Sequence, residues 1–397
     1  MSKRYDFLII GSGPIGLATA YNLSKNKFSV AIIEKYDFRN QHSSSAGSTR
    51  QFRLQYSEKY MAKMAVDSIE YWNDLQSFTD EKLKSEVGSL WFGDMEEISS
   101  EGQIKEAIKT MKSLDIKFEE LSNTEIEKYY GFSNINNNYK GFFQPNGGTI
   151  NVNATLKVLY EKCQTSKNVD LYYGENCENV SVHNEVEVIT SNYKFLGKRI
   201  LLATGPFSND ILKKFDLSLD FSIWAMVSMY FKLNSNKNLP SWFIFEKYKE
   251  KDPGLYYGFE NCSFDNSGYL RVAPAFATKQ FSSMNSAGSN PSSRDIELTA
   301  NWVKKHLKFL DPHPYFKSVC YASIPNDISK KLYLDFVSPE ILHFSSGWCF
   351  KFVPLIGKIC SDLLENGETT YPIENFNIEI KKPDKAFNKI TNRRIPF

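Results

Sequence analysis

The sequence of 397 residues has few cysteines, and none is placed as a metal site or a disulfide framework requires. There is no Cys-x-x-Cys pair and no cysteine–histidine cluster at zinc-ligand spacing. We therefore expect reduced thiols, an intracellular protein and no bound metal. The cysteines are Cys163, Cys177, Cys262, Cys320, Cys349 and Cys360.

An excess of one charge sign is also lacking. The 48 basic and 46 acidic residues give a net charge of +2, and no long block carries one sign. Neither nucleic acid nor an anionic membrane surface is an expected partner. No apolar run approaches the ~20 residues that span a bilayer, and we see no secretory signal or peroxisomal SKL-type address. These observations predict a cytoplasmic protein.

What the sequence does contain is alternating strand and helix patterns, in a length that suits two domains or one large α/β unit. Residues 5–10 and 28–34 are predicted strands on either side of a predicted helix at 14–26, which makes a βαβ unit. Residues 218–280 hold several strand patterns, which predict an antiparallel sheet over a substrate site. Further predicted elements are helices at 58–78, 101–114, 123–130 and 295–310, a strand at 88–93, and a mobile loop at 282–295.

A glycine motif stands between the first predicted strand and helix. Gly11, Gly13 and Gly16 form G-x-G-x-x-G: the first permits a tight turn, the second lets the backbone approach a pyrophosphate, and the third allows close helix packing. The pyrophosphate would then meet the positive end of the helix. Glu34 ends the second strand, where it can accept hydrogen bonds from an adenosine ribose. This context favours a dinucleotide site over the alternative, a glycine turn that binds no ligand.

FAD and NAD both use such a unit, and the residues alone favour FAD only through the early position of the motif. A second glycine turn, at Ala203 to Gly205, ends a buried strand. It can pass close to a cofactor, and a simple strand-to-helix turn explains it equally well. We find no second fingerprint for NAD(P)H, which disfavours a flavin monooxygenase.

Motifs along most of the chain, taken together, resemble one group of flavoenzymes. They are DFLIIGSGPIGLATAYNLSK, GSTRQFRLQYSEKY, GSLWFG, FQPNGGTI, ATGPFSNDIL, YYGF, VCYASIPND and SGWCFKF. The chain resembles the monomeric sarcosine oxidase and N-methyltryptophan oxidase group of the D-amino-acid-oxidase (DAO) superfamily. The resemblance implies an α/β fold, in which a Rossmann-like FAD-binding domain carries an inserted α+β substrate domain built on an antiparallel sheet. The expected FAD-binding parts are 1–85, 146–217 and 319–397, and the expected substrate-binding parts are 86–145 and 218–318.

The resemblance implies FAD as cofactor and a covalent link to it. Cys320 matches the cysteine that this family joins to the flavin 8α-methyl carbon, and a thiolate is a good nucleophile. A buried structural cysteine is the alternative. Arg50, in GSTRQFR, is implied to lie near the flavin. The cofactor-binding candidates are Gly11, Gly13, Pro14, Ile15, Gly16, Glu34, Lys35, Ser48, Thr49, Arg50, Ala203, Gly205, Cys320, Gly347, Phe350 and Lys351.

Arg53 and Lys351 match the two groups with which the family holds a substrate carboxylate. An arginine fork and an ammonium group suit a carboxylate in a partly dry pocket, whereas single surface charges are the ordinary alternative. For the two tyrosines of YYGF, sheet core and site lining are equally supported. The substrate-binding candidates are Arg53, Tyr256, Trp348 and Lys351, and the catalytic candidates are Arg50, Tyr257, Arg271 and Lys351.

The chain departs from the family pattern at positions that shape the pocket. Arg271 stands where the family has a lysine that speeds the reaction with oxygen. Alanines replace two family histidines, at Ala46 and Ala275, and a family tyrosine, at Ala322. Trp348 brings a large ring close to the expected flavin. These differences favour a cyclic imino acid, an N-alkyl amino acid or a biosynthetic intermediate over sarcosine itself.

The implied function is oxidation of the C–N bond of a carboxylate-bearing secondary or cyclic amine. Hydride transfer to flavin N5 would be followed by reoxidation with O2, which yields H2O2. Two alternatives stay open: an FAD-dependent amine dehydrogenase or biosynthetic tailoring enzyme that uses O2 slowly, and a flavin-bound protein without turnover. The expected partners are a small amino-acid or imino-acid substrate and O2, and the expected oligomeric state is a monomer.

Overall fold

The computed structural model describes residues 2–247, 255–275, 279–287, 291–327 and 329–378. Within these ranges, helices α1 to α8 span, in order, Pro14–Lys25, Lys59–Gln76, Ile104–Ser113, Asn123–Tyr130, Val152–Thr165, Ser208–Leu212, Ser293–His306 and Val353–Asn366. Short 3-10 helices lie at Gly205–Phe207, Lys213–Phe215, Met284–Ser286, Phe350–Phe352 and Glu374–Phe376.

Strands β1 to β19 form three sheets. They span, in order, Ser2–Ile10, Val30–Glu34, Thr49–Phe52, Ser89–Gly93, Glu119–Ser122, Lys140–Gln144, Gly148–Asn151, Val169–Tyr173, Asn179–Val182, Val186–Ile189, Lys194–Leu202, Phe221–Leu233, Ser241–Phe245, Tyr256–Gly258, Tyr269–Pro274, Gln280–Phe281, Leu310–Pro325, Tyr333–Ser338 and Ile341–Ser345.

The first sheet follows the order β18-β19-β11-β1-β2-β8, and β9 and β10 continue from β11. Strands β19, β11, β1, β2 and β8 run parallel. Because the carboxyl ends of parallel strands meet at one edge, this edge is where an open α/β sheet offers a ligand site.

The first strand and helix form as the apolar pattern predicts. β1 ends in four buried residues at 7–10, and α1 begins with Pro14, whose fixed φ suits the first helical turn. Helix α1 packs closely on α8, since a Cβ atom added to Gly357 would lie 2.4 Å from the Cβ atom of Ala18. This packing fixes the start of α1 against the first sheet.

The second sheet has the order β16-β12-β15-β14-β13-β4-β6-β5, and β17 pairs with β12. Its pairs are antiparallel except for the parallel pair β13–β4. Strand β17 follows β12 from the pair Phe221–Pro325 to the pair Leu233–Leu310. The third sheet is the antiparallel pair β3–β7.

The predicted fold class is confirmed, and several element boundaries differ from the prediction. The first seven residues of the motif VCYASIPND form only the end of β17, which begins at Leu310 because β12 offers hydrogen-bond partners along its whole length. The helix expected at 295–310 spans Ser293–His306, and the Ser292 side chain caps its start by accepting from the Asp295 N–H group. Part of the predicted loop at 282–295, residues 288–290, lies outside the described residues.

Candidate active site

A deep cavity opens at the carboxyl ends of β1, β2 and β11. Its empty volume, including the open mouth, is about 1400 Å³. Most of the predicted cofactor-binding residues line it: Gly11, Gly13, Pro14, Ile15, Glu34, Lys35, Arg50, Ala203, Gly205, Gly347 and Phe350. We refer to it as the cofactor cavity.

The three glycines of the motif have different surroundings. Gly11 has a φ of +105°, and a Cβ atom there would lie 2.5 Å from the Ala203 carbonyl oxygen. At Gly16 a Cβ atom would lie 2.0 Å from the carbonyl oxygen of Gly11. Around the Cβ position of Gly13, by contrast, no described atom lies within 4 Å. The second glycine therefore exposes bare backbone to the cavity, and the residues fit a pyrophosphate at the start of α1.

Glu34 is held at the wall of the cofactor cavity. Its Oε2 atom accepts hydrogen bonds from the Ser12 backbone N–H group at 2.8 Å and from the Ser12 hydroxyl at 3.2 Å. Its Oε1 atom accepts from the Tyr36 N–H group at 2.9 Å. Because each carboxylate oxygen can accept a further donor, this fixed carboxylate also fits a ribose hydroxyl.

Other predicted cofactor residues differ in their placement. The Lys35 ammonium lies 5.1 Å and 5.8 Å from the ring centroids of Tyr36 and Phe207, which line the same cavity. Ser48 and Thr49 do not line either cavity in the described part of the chain. The Ser48 carbonyl accepts from the Val152 N–H group, and Thr49 is buried.

A second cavity of about 840 Å³, the substrate cavity, lies beside the first. Residues Ser44, Arg50, Gly347 and Phe350 line both, so the two spaces adjoin. Other predicted residues that line the substrate cavity are Arg53, Tyr257, Arg271, Cys320, Trp348 and Lys351.

Arg50 stabilises the junction of the two cavities. Its guanidinium donates to the carbonyl oxygens of Ser44, Ala46 and Thr49, each at 2.7 Å. The side chain thus fixes the 44–46 loop and brings a positive charge to the point where both cavities meet. Ala46, at a family histidine position, contributes its carbonyl oxygen here.

Arg53 is buried and rigidly placed. Its guanidinium carbon lies 4.9 Å from the ring centroids of both Tyr56 and Trp91. The side chain is 4% exposed and forms an ion pair with Glu101. Contact with two aromatic faces and a carboxylate prevents this cation from turning to solvent.

Lys351 adds a second buried cation to the substrate cavity. Burial, and then the charge of Arg53, lower the pKa of its ammonium group to about 7. Its backbone carbonyl accepts from the indole N–H group of Trp72 at 2.7 Å, which holds the short helix Phe350–Phe352 in place. Arg53 and Lys351 therefore face the same space, as the resemblance implies.

Arg271 is fixed by groups other than carboxylates. Its Nε atom donates to the Ser228 hydroxyl at 2.9 Å, and its Nη1 atom donates to the carbonyl and hydroxyl oxygens of Thr49 at 3.0 Å and 2.9 Å. The Thr49 hydroxyl in turn donates to Asp265 at 3.2 Å. The guanidinium also lies 4.4 Å from the ring centroid of Phe259. This network holds a permanent positive charge at the cavity wall.

One wall of the substrate cavity is aromatic. Trp348 and Trp224 meet edge to face, with ring centroids 6.3 Å apart. Ala322 packs closely against this wall, since a Cβ atom added to Gly347 would lie 2.5 Å from the Cβ atom of Ala322. Cys320 lies two residues earlier on β17 and lines the same cavity.

The adjacent tyrosines of β14 point to opposite faces of the sheet. Tyr257 lines the substrate cavity and stacks on Phe243, with ring centroids 5.9 Å apart. Tyr256 is fully buried behind the sheet and stacks on Trp302. Tyr256 is therefore not among the residues that line the substrate cavity, because alternation along a strand brings only one of two neighbours to a given face.

Several residues at the site are absent from the predicted set. Glu101 is the main one, and Tyr56, Trp91 and Trp224 are others. No spacing or motif in the sequence indicates that Glu101 pairs with Arg53. The prediction instead places Glu101 at the start of a helix at 101–114, whereas the helix begins at Ile104 and Glu101 lies in the turn before it.

The fold and the two adjoining cavities define a dinucleotide-dependent α/β protein with a cationic substrate pocket. The model of the family "FAD dependent oxidoreductase" (DAO) matches residues 6–363. The chain belongs to this family and is an FAD-dependent oxidoreductase.

Several proteins are similar to this chain over most of its length. A putative bifunctional amine oxidase of Dictyostelium discoideum is 33% identical over 95% of this chain, which spans only 37% of that relative's length. Monomeric sarcosine oxidase of Bacillus sp. (strain B-0618) is 22% identical, over 98% of this chain and 100% of that protein. The solved structure of NikD, described as an unusual amino acid oxidase essential for nikkomycin biosynthesis, is 30% identical. It has a TM-score of 0.89 and covers 95% of this chain and 98% of its own.

The described residues contain neither a membrane-spanning helix nor a metal-binding cluster. No helix there has the length and apolar character needed to cross a membrane. The same residues hold no group of three or more histidine, cysteine, aspartate or glutamate side chains arranged to bind a metal ion.

Proposed function

We propose that this protein oxidises the C–N bond of a carboxylate-bearing secondary or cyclic amine, such as an N-alkyl amino acid or an imino acid. The observation that carries the proposal is the pair Arg53 and Lys351, two buried cations in a cavity that adjoins the cofactor cavity. Relatives named as amine, sarcosine and amino acid oxidases support the same reaction class.

When bound, FAD supplies acceptance of a hydride at N5 and delivery of the two electrons to O2, which gives H2O2. The protein's own residues orient the substrate. The carboxylate binds to Arg53 and Lys351, and Lys351, with its lowered pKa, becomes fully protonated as the anion arrives. The amine reacts in its neutral form, because an ammonium nitrogen has no lone pair to stabilise the positive charge that is left when a hydride leaves the neighbouring carbon.

The rings around the cavity select the shape of the substrate. Trp348, Trp224 and Tyr257 line the cavity with aromatic rings, and the small side chain of Ala322 lines the same cavity. A planar or cyclic amino acid fills such a slot with more apolar contact than sarcosine does. Burial among these side chains also excludes water from the reacting carbon.

A second candidate is an amine dehydrogenase or tailoring enzyme that uses O2 slowly. The observation that favours it is the placement of Arg271, whose guanidinium is held by Ser228 and Thr49 at the family lysine position. A guanidinium keeps its proton and differs in shape from an ammonium group, so it is less suited than a lysine to assist the reduction of O2.

We further propose that the flavin is attached to Cys320, which lines the substrate cavity that adjoins the cofactor cavity. Acid precipitation of the holoprotein should leave the yellow colour in the pellet. In Cys320→Ser the colour should move to the supernatant, because a hydroxyl does not form the thioether. A colourless wild-type pellet contradicts the covalent link.

The division of the chain follows the same proposal. Parts 1–85, 146–217 and 319–397 hold the cofactor, and parts 86–145 and 218–318 shape the substrate cavity. The split is supported by the glycine loop and Glu34 in the first group and by Glu101, Tyr257 and Arg271 in the second.

Anaerobic flavin bleaching tests the reaction. A panel of secondary and cyclic amino acids is mixed with the oxidised holoprotein without O2, and we expect at least one to bleach the flavin. Admitting O2 should restore the colour and release H2O2. Bleaching without peroxide, but with electron transfer to a dye, supports the dehydrogenase. No bleaching by any amino acid contradicts the proposed function and leaves a flavin-binding protein without turnover.

A further inference from the structure

Glu101 is the one acidic side chain among the described residues that line the substrate cavity. Its contact with Arg53 joins one carboxylate oxygen, Oε2, to one guanidinium nitrogen, Nη2. Arginine–carboxylate pairs are often bidentate, so this single contact leaves both side chains able to form a further hydrogen bond. Within the described structure the buried Nε atom of Arg53 has no hydrogen-bond partner.

The backbone aims Glu101 at the cavity. Residues Ser99 and Gly102 exchange two backbone hydrogen bonds, of 2.9 Å and 3.0 Å, and the Glu101 N–H group donates to the Ser99 hydroxyl at 3.1 Å. Lys331 holds the turn from the other side by donating to the Ser100 carbonyl at 3.0 Å. Gly102 has a φ of +116°, and a Cβ atom there would lie 2.3 Å from the Ser57 hydroxyl oxygen. Glu101 is therefore part of a built turn and differs from a freely moving surface acid.

The charge arrangement indicates what the acid can recognise. Burial would raise the pKa of Glu101, but the charges of Arg53 and then Lys351 lower it below its usual value. Glu101 is therefore a carboxylate at neutral pH, and it can only accept hydrogen bonds. An acceptor fixed beside two carboxylate-binding cations is complementary to a ligand that carries an N–H donor on the atom next to its carboxylate-bearing carbon.

We propose that Glu101 is a specificity-determining residue that accepts a hydrogen bond from the substrate N–H group while Arg53 and Lys351 hold the carboxylate. The inference deepens the proposed function and rests on it for the carboxylate anchor. It predicts that the site prefers α-amino and α-imino acids to carboxylates that lack the N–H group. Plain carboxylates meet the repulsion of Glu101 without the compensating hydrogen bond.

Two flat ligands that differ in a single ring atom test this directly. Pyrrole-2-carboxylate carries an N–H group where furan-2-carboxylate has an oxygen, and neither has a saturated C–N bond to oxidise. Each is titrated into the holoprotein, and the shift of the flavin absorption band gives the dissociation constant. The wild-type protein should bind the pyrrole about tenfold or more tightly than the furan. Glu101→Leu should abolish this preference and tighten furan binding, and Glu101→Gln, which keeps an acceptor without charge, should weaken the preference.

Glu96→Gln is the matched control. It removes one negative charge from the same loop, where exposed Glu96 pairs with Lys105, and its preference should equal the wild type. The same preference in wild type, Glu101→Leu and Glu101→Gln overturns the inference, and so does a lack of binding by both acids to every protein. If Glu101→Leu does not fold, Glu101→Gln alone decides, and an unchanged preference overturns the inference. Since neither ligand is oxidised, the result is independent of turnover, and a failure of flavin bleaching contradicts only the proposed function.

Discussion

Single residues give this site its charge, and Lys351 shows how. Its ammonium is surrounded by protein and lies near the cation of Arg53, and both effects lower its pKa to about 7. Arg53 cannot adapt in this way because a guanidinium stays protonated. The anchor therefore has one permanent charge and one charge that depends on pH.

Carboxylate binding should weaken as the pH rises through about 7. Below that pH Lys351 is protonated and attracts the anion, and above it the neutral amine does not. Titration of furan-2-carboxylate into the holoprotein between about pH 6 and about pH 8 measures this. In Lys351→Gln the affinity at the low end should fall about tenfold, and the pH dependence should disappear.

The neighbouring thiol of Cys349 and carboxyl of Glu101 do not titrate near pH 7. Burial raises the pKa of the Cys349 thiol to about 12, and the pKa of the Glu101 carboxyl is lowered. Persistence of the same pH dependence in Lys351→Gln would show that another group carries it and would contradict the role assigned to Lys351.

At the scale of elements, the glycine loop must allow close packing of α1 and must also leave space for a ligand. Substitutions can separate these two requirements. Gly16→Ala places a Cβ atom 2.0 Å from the Gly11 carbonyl oxygen, so α1 must move away from the loop. Gly13→Ala meets no described atom within 4 Å and has a φ of −64°, which alanine adopts easily. The first change disturbs the chain itself, and the second intrudes only on a ligand.

In the Cys320→Ser background, from which FAD can be removed, we expect Gly13→Ala to keep the free energy of unfolding of the apoprotein within about 0.5 kcal/mol of that of Cys320→Ser alone, while the FAD affinity falls strongly. Gly16→Ala should lose FAD binding as well as stability. Overpacking should lower its free energy of unfolding by about 1–3 kcal/mol. Denaturant unfolding of the apoproteins and FAD titration separate the two effects. Equal FAD affinity in Cys320→Ser with and without Gly13→Ala would contradict the proposed pyrophosphate site.

The sequence predicts the local features of this site well and the distant ones poorly. The strand, glycine turn, helix and terminal acid of the cofactor site lie within the first 34 residues, so their spacing reports their geometry. The pair Arg53–Glu101 joins residues 48 positions apart, and nothing in the local pattern encodes it. Tyr256 shows a second limit of sequence-based prediction: a strand pattern predicts that neighbouring residues alternate between faces, but not which of them faces the cavity.

At the scale of the whole molecule, the two cavities adjoin through four shared residues, and the cofactor site draws on elements from both ends of the chain. Gly11 and Glu34 come from the start of the sequence, whereas Gly347 and Phe350 come from near the end of the described residues. A ligand that contacts both ends binds only the folded chain. Cofactor binding should therefore contribute directly to global stability.

We expect Cys320→Ser, from which FAD can be removed, to gain about 2.7 kcal/mol in free energy of unfolding at an FAD concentration 100-fold above the dissociation constant. Denaturant unfolding with and without FAD measures the gain. Gly13→Ala, combined with Cys320→Ser, is the control and should gain much less at the same FAD concentration. A gain that is equal in both proteins would show that FAD stabilises them without using the glycine loop.

The most direct test of the central claim, a flavin site that oxidises amines held by their carboxylate, is anaerobic stopped-flow reduction by matched amines. Each secondary or cyclic amino acid that bleaches the flavin is compared with the same amine without its carboxylate, for instance proline with pyrrolidine. We predict that bleaching is faster by at least about tenfold with the carboxylate, and that Arg53→Met, which removes the permanent cation, erases the difference. Equal rates for both members of every pair, or a difference that persists in Arg53→Met, would contradict the claim.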